Sequence, residues 1–272
     1  MNVANRSMTT DFLSKIVESK RAALEAAKEA IPFEQMREKA IAIRASSEPH
    51  AFTKALSSSS INVIAEFKRK SPSKGLIRGD VSAEQMARYY EAGGAAAISV
   101  LTEENYFDGS LEDLRAVRAA VALPVLRKDF IFDEYQTYES AAAGAQALLL
   151  IAAVLEDDSL ARLRRIAEHE LGMDALVEVH TKDELQRAIS SGAKLIGVNN
   201  RNLKTFEVSL KTSVELAAQP VGDAVLISES GLNSFDDLLK LRRLGYKGFL
   251  VGETLMRAER PDQVLRSLIG DG

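Results

Sequence analysis

The stretch Asn62-Val-Ile-Ala-Glu-Phe-Lys-Arg-Lys-Ser-Pro-Ser-Lys-Gly75 opens as an apolar strand and ends in charge. Side chains alternate along a strand, so Ile64, Glu66 and Lys68 share one face while Ala65 and Phe67 share the other. With Phe67 packed against helices, Glu66 and Lys68 point to the interior at the end of a core strand. Charges in such a place are costly without partners, so they mark either a solvated face or a site. Which of the two applies depends on the sheet that the strand enters.

Seven more short apolar runs follow, at residues 96–101, 125–127, 146–151, 175–179, 194–198, 224–227 and 248–251. Their starts lie roughly 19 to 34 residues apart, enough for the crossover helix that parallel neighbours need. Glycines within 92–95, 143–145, 191–193 and 244–246 stand just before strands, where glycine ends a helix. Eight such units predict an α/β fold, a (β/α)8 TIM barrel, with reactive groups at the C-terminal strand ends. The rival, a doubly wound open sheet, lacks support: no G-x-G-x-x-G follows the first strand, and there are more strands than it needs.

Ahead of the barrel, Leu13, Ile16, Val17, Leu24 and Ala27 share one face of a helix over residues 11–28. Pro32 suits the start of a second helix, whose apolar stripe is Phe33, Met36, Ala40 and Ile43. Residues 57–60 read as a loop into the first strand. The chain is therefore expected to be one domain, 1–272, with 1–60 a helical extension laid against one end of a barrel formed by 61–272.

The 272 residues are 46% hydrophobic and 27% charged, with a net charge of −4, which excludes a disordered chain. No run approaches the roughly 18 apolar residues of a membrane span, and no basic tail offers a footprint for nucleic acid. With no Cys there is no disulfide, thiolate nucleophile or cysteine-held metal. Residues 1–10 lack the pattern of an export leader, so the cytoplasm is expected. His50, His169 and His180 do not fall in a ligand set, and no metal site is expected. A monomer or weak homo-oligomer is expected.

Polar residues gather at most of the remaining strand ends. By parity Lys128 follows Leu126, Glu178 joins Leu176 and His180, and Asn199 joins Arg201; the last two strands run into Ser228-Glu229-Ser230-Gly231 and Gly252-Glu253. Interleaved acids and bases compensate one another in a barrel mouth. Ser230, Gly231 and Gly252 present backbone N–H groups beside helix starts, where this barrel type holds phosphate. Lys70 and Ser71 stand ready to close the other side of the same anion. Glu253 would repel a dianion unless its side chain turns away.

Five segments, Ile64–Gly75, Leu126–Phe130, Leu176–His180, Gly197–Leu203 and Ser228–Gly231, together resemble the motif set of the indole-3-glycerol-phosphate synthase family, and the similarity runs from the helix at Asp11 to the last helix. The resemblance implies ring closure of 1-(2-carboxyphenylamino)-1-deoxyribulose 5-phosphate to indole-3-glycerol phosphate, with loss of carbon dioxide and water, as a cofactor-free step of tryptophan biosynthesis. It implies a catalytic set of Glu66, Lys68, Lys128, Glu178, Asn199 and Ser230. In that set Lys128 is the general acid for condensation and Glu178 serves in dehydration, with Lys68 an alternative carrier of the later acid role. Glu66 and Asn199 hold or assist the reacting hydroxyls. Substrate contacts are implied for Lys70, Ser71, Phe130, Leu149, Arg201, Glu229, Gly231, Gly252 and Glu253. Phe130 and Leu149 would flank the anthranilate ring, and Ser71, Gly231 and Gly252 the phosphate. The helix at residues 11–28 is expected to cover the mouth. Glu253 departs from the serine common in related sequences. Two rivals are an isomerase on the same barrel, whose family uses a Cys that this chain lacks, and a silent phosphate-binding scaffold, which would not need Lys68, Lys128 and Glu178 together.

Overall fold

In a computed structural model, residues 4–58, 60–203 and 205–270 are described; residues 1–3 of the leader reading and Ser59 of the loop reading lie outside them. Eight parallel strands close into a barrel: β1 (Asn62–Phe67), β2 (Ala97–Leu101), β3 (Val125–Lys128), β4 (Ala147–Ile151), β5 (Asp174–Val179), β6 (Leu195–Asn199), β7 (Val225–Glu229) and β8 (Gly248–Val251). They pair in sequence order, and β1 pairs β8 to complete the ring, with Asn62 opposite Gly248.

The alternation predicted for β1 holds around the barrel. Ile64, Leu126, Leu149, Leu176, Leu195, Ile227 and Leu250 fill the interior, whereas Val63, Ala65, Phe67, Val177 and Val198 pack outward with the helices. Most turns from strand to helix end on a residue that caps the helix. Ser82, Ser110, Asp133, Thr181 and Ser234 each accept a backbone N–H from the first turn, a contribution of about 1 kcal/mol apiece. Gly144 and Gly245 end helices with φ of 90° and 103°, a region where a Cβ is strained.

Three strands run further than hydropathy suggests. Lys128, Asn199 and Glu229 lie inside β3, β6 and β7, because their polar side chains find partners in the barrel and need not leave the ladder. The loop after β1 also folds back as a short antiparallel ladder, Lys70–Ser71 with Gly75–Leu76.

The extension is not confined to one end of the barrel. Helix α1 (Ala4–Ala30) lies at the mouth, where Lys20 donates to Asp129 just beyond β3 at 2.9 Å. Its Ile16 is fully buried with the interior cluster, worth about 1.5–3 kcal/mol. Helix α2 (Phe33–Ala45) descends along the helix Glu134–Ala142. Helix α3 (Ala51–Ala55) plugs the opposite end: Thr53 donates from its hydroxyl to Asp174 at the start of β5, and Phe52 and Leu56 join the interior cluster. The predicted stripe of α2 is corrected at one position. Ile43 is exposed, and Arg44 takes the buried place, donating to the carbonyls of Leu171 and Gly172. Carbonyls in the turn before β5 reward a guanidinium there more than a methyl group.

Candidate active site

A cavity of about 780 Å³ opens at the C-terminal strand ends, bounded by Leu13 of α1 and by residues that follow or end all eight strands except β2's polar neighbours, where Leu101 and Phe107 form an apolar wall. Lys128 stands in its floor. Its Nζ is 2.5 Å from Glu229 Oε2, 3.6 Å from Glu66 Oε2 and 3.8 Å from Glu178 Oε2. Burial alone would favour the neutral amine, but Glu229, Glu66 and Glu178 outweigh it and hold Lys128 cationic, its pKa well above the ordinary lysine value.

The carboxylates around it differ. Glu229 is completely buried, and burial together with Glu178 and Glu66 pushes its pKa up to about 7 despite the ammonium. Glu66, also buried, accepts from Lys68 Nζ at 2.7 Å, and Lys68 and Lys128 together lower its pKa against the pull of burial. Burial acts on Glu178 in the same direction, yet His180, Lys128 and the Asn199 side chain bring it down to about 2. Two glycines make room for this layer. A Cβ at Gly197 would sit 2.1 Å from Glu229 Oε1, and one at Gly252 would sit 2.5 Å from Glu66 Oε1.

The opposite side of the cavity is lined by serines, glycines and basic side chains. Ser230 and Gly231 both have positive φ, 66° and 77°, in the loop after β7, where Ser230, Gly231, Leu232 and Asn233 line the cavity. The strained Ser230 is held by its hydroxyl, which donates to Asn199 Oδ1 at 2.9 Å, and by its carbonyl, which accepts from Asn200 Nδ2 at 3.1 Å. Gly252 begins the short helix Glu253–Arg257. Glu253 pairs with Arg257 at 3.0 Å, so its charge is offset by a cation that itself lines the cavity. Ser71, Ser73 and Lys74 face this end, and Arg201 Nη1 donates to the Phe206 carbonyl at 3.1 Å. Phe130, Leu149, Ile151 and Phe107 provide an apolar wall, with the rings of Phe107 and Phe130 centred 6.3 Å apart.

Of the residues expected from sequence, Glu66, Lys68, Ser71, Lys128, Phe130, Leu149, Glu178, Asn199, Arg201, Ser230, Gly231, Gly252 and Glu253 converge on this cavity. Lys70 and Glu229 do not line it. Lys70 pairs with Leu76 in the short ladder, which brings Lys74 round in its place. Glu229 sits beneath Lys128 and touches the cavity only through it. Asn200 was missed as a functional residue. It is buried and ties β6 to β7, donating to Ser228, Glu229 and Ser230 and accepting from the Ser213 N–H. Its signal was the adjacent Asn pair, of which only Asn199 has inward parity.

The sequence profile of indole-3-glycerol phosphate synthase matches residues 13–268 of the chain. The chain belongs to the indole-3-glycerol phosphate synthase family. It is 44% identical to the indole-3-glycerol phosphate synthase of Bacteroides thetaiotaomicron over 259 residues, covering 95% of this chain and 98% of that one. It is 46% identical to that of Carboxydothermus hydrogenoformans over 265 residues, covering 95% and 99%. Among solved structures, 3-hexulose-6-phosphate synthase from Salmonella typhimurium superposes with a TM-score of 0.62 at 14% identity, covering 77% of this chain and 97% of that one, and so bears on the fold alone.

Proposed function

We propose that the chain closes the indole ring of 1-(2-carboxyphenylamino)-1-deoxyribulose 5-phosphate, giving indole-3-glycerol phosphate, carbon dioxide and water. The observation that carries this reading is Lys128, an ammonium in the cavity floor between an apolar wall and a rim of serines and glycines. In that arrangement the phosphate rests on Ser71, Ser230, Gly231 and Gly252, and the aromatic ring lies against Phe130 and Leu149. Lys68 neutralises the carboxylate that leaves as carbon dioxide.

Lys128 gives its proton to the ribulose carbonyl as the aromatic carbon attacks it, so that the new bond forms to a developing alcohol rather than to an alkoxide. Loss of carbon dioxide leaves that alcohol to depart as water. Departure needs a proton on the hydroxyl, from Lys68 because Lys128 has already given up its own, and a base for the proton released as the ring becomes aromatic, a role for Glu178. Glu66 and Asn199 orient the reacting hydroxyls. Glu229 serves by holding Lys128 cationic and aimed.

A biosynthetic role of this kind suits a cytoplasmic enzyme working as a monomer or weak homo-oligomer, and light scattering on the purified protein tests the second part. For the reaction, the protein is incubated with the substrate, with and without added metal, and indole fluorescence is followed. The chain contains no Trp, so the background is low. A growing signal supports the reading; a folded protein giving none rejects it.

A further inference from the structure

Glu178 has a second cationic neighbour besides Lys128. The Nε2 of His180 lies 3.3 Å from Glu178 Oε1, with the N–H directed off the line of a hydrogen bond. On its other side, Nδ1 lies 3.2 Å from Glu184 Oε2, and that same oxygen accepts the His180 backbone N–H at 2.7 Å. Ring and backbone are thus fixed to one carboxylate at the start of the helix Lys182–Ser191. All three side chains are at most 18% exposed.

The charge count in the mouth explains why such a neighbour is needed. Lys128 makes its close contact with Glu229 and is 3.8 Å from Glu178, while Lys68 is engaged by Glu66. Three buried carboxylates share two ammonium groups, and Glu178 has the loosest hold on either. We infer that His180, as an imidazolium clamped between Glu178 and Glu184, is a positioning residue that keeps Glu178 ionised as the base of the dehydration step. This rests on the reading of Glu178 given above. Burial works against the charge on His180, but the two carboxylates raise its pKa to about 10. Among the described residues, the other charged groups lining the second cavity at this rim are Glu18 and Arg21 of α1, and Arg201 and Glu207 after β6. Lys128, Glu66 and Glu229 face Glu178 from within the barrel.

The test is the pH dependence of kcat for the wild type and for His180→Gln, His180→Lys, Glu184→Gln and Glu178→Gln. A base is active when deprotonated, so removing its cationic neighbour moves the acidic limb to higher pH. The expected shift for His180→Gln is about one pH unit or more, with KM changed less than about threefold, and His180→Lys restores the limb. An unmoved limb in a folded His180→Gln, with Glu178→Gln impaired, overturns the inference. A normally active Glu178→Gln rejects the underlying role of Glu178 instead. NMR titration of the three histidines gives a readout independent of turnover. The His180 ring should stay cationic above pH 7 and titrate lower in Glu178→Gln and Glu184→Gln; a neutral ring at pH 7 in the wild type overturns the inference even where a variant fails to fold.

Discussion

Lys128 on β3 and Glu229 on β7 stand on opposite walls of the barrel, and their side chains meet across its axis at 2.5 Å. A general acid must be protonated to act, and Glu229 is the nearest group that keeps it so. Glu229→Gln should therefore move the alkaline limb of kcat/KM to lower pH, since the ammonium loses its closest counter-charge. Lys128→Met should reduce kcat by about 10³-fold or more while a non-reactive phosphorylated analogue still binds. Near-normal turnover of Lys128→Met sinks the assignment of Lys128 as the acid.

Glu178 should show its role in kcat rather than in KM. Glu178→Gln keeps shape but replaces one accepting oxygen by an N–H donor and cannot accept the proton, and product formation should slow by about 10²-fold or more. A change confined to KM would make Glu178 a binding residue.

Asp129 makes a prediction about stability. It is buried against Lys20, Arg127 and Thr102, and although burial opposes ionisation, these partners bring its pKa down to about 2. A depressed carboxylate contributes stability above its unfolded pKa of about 3.9 and loses it as pH falls through the folded value. The contribution is about 2 kcal/mol, lost between roughly pH 4 and pH 2. Asp129→Asn leaves buried Lys20 with only the more distant Glu104 and Arg127 with only Glu139, and should cost about 2–4 kcal/mol at pH 7 in urea unfolding. A loss below 1 kcal/mol would show that the α1 contact is dispensable.

Gly231 should be selective for the phosphorylated end of the substrate. A Cβ there meets Val208 Cγ1 at 2.5 Å on a backbone with φ of 77°. Realigning the loop costs about 1–3 kcal/mol, so Gly231→Ala should raise KM about tenfold and weaken competitive inhibition by inorganic phosphate, with kcat less affected. Unchanged phosphate inhibition would place the anion elsewhere.

The barrel was legible because its two signals are local. The period-two alternation in β1 and the spacing of glycine before strands each report on a few neighbouring residues, and Ile64 and Phe67 took the sides assigned to them. Inward parity likewise found Glu66, Lys128, Glu178 and Asn199. Parity carries no depth along a face, and the substrate contact that the resemblance implied for Glu229 is not direct in the structure, where Glu229 lies beneath Lys128. Nor could parity report the short ladder after β1, whose turn exchanges Lys70 for Lys74. In α2 the helical stripe was read from apolarity, and the carbonyls that recruit Arg44 come from a turn more than a hundred residues away.

The extension that straps the barrel from mouth to base also dictates an order of events during synthesis. The partners of Lys20, Arg44 and Thr53 lie 109, 127 and 121 residues further along the chain. On a ribosome, the first helices emerge with their apolar faces unmatched and stay so until β5 has left the exit tunnel, while β1 waits for β8 before its second edge is covered. The extension, made before the barrel, is thus among the last segments to find its place, and the nascent chain is open to chaperones and proteases until the barrel closes.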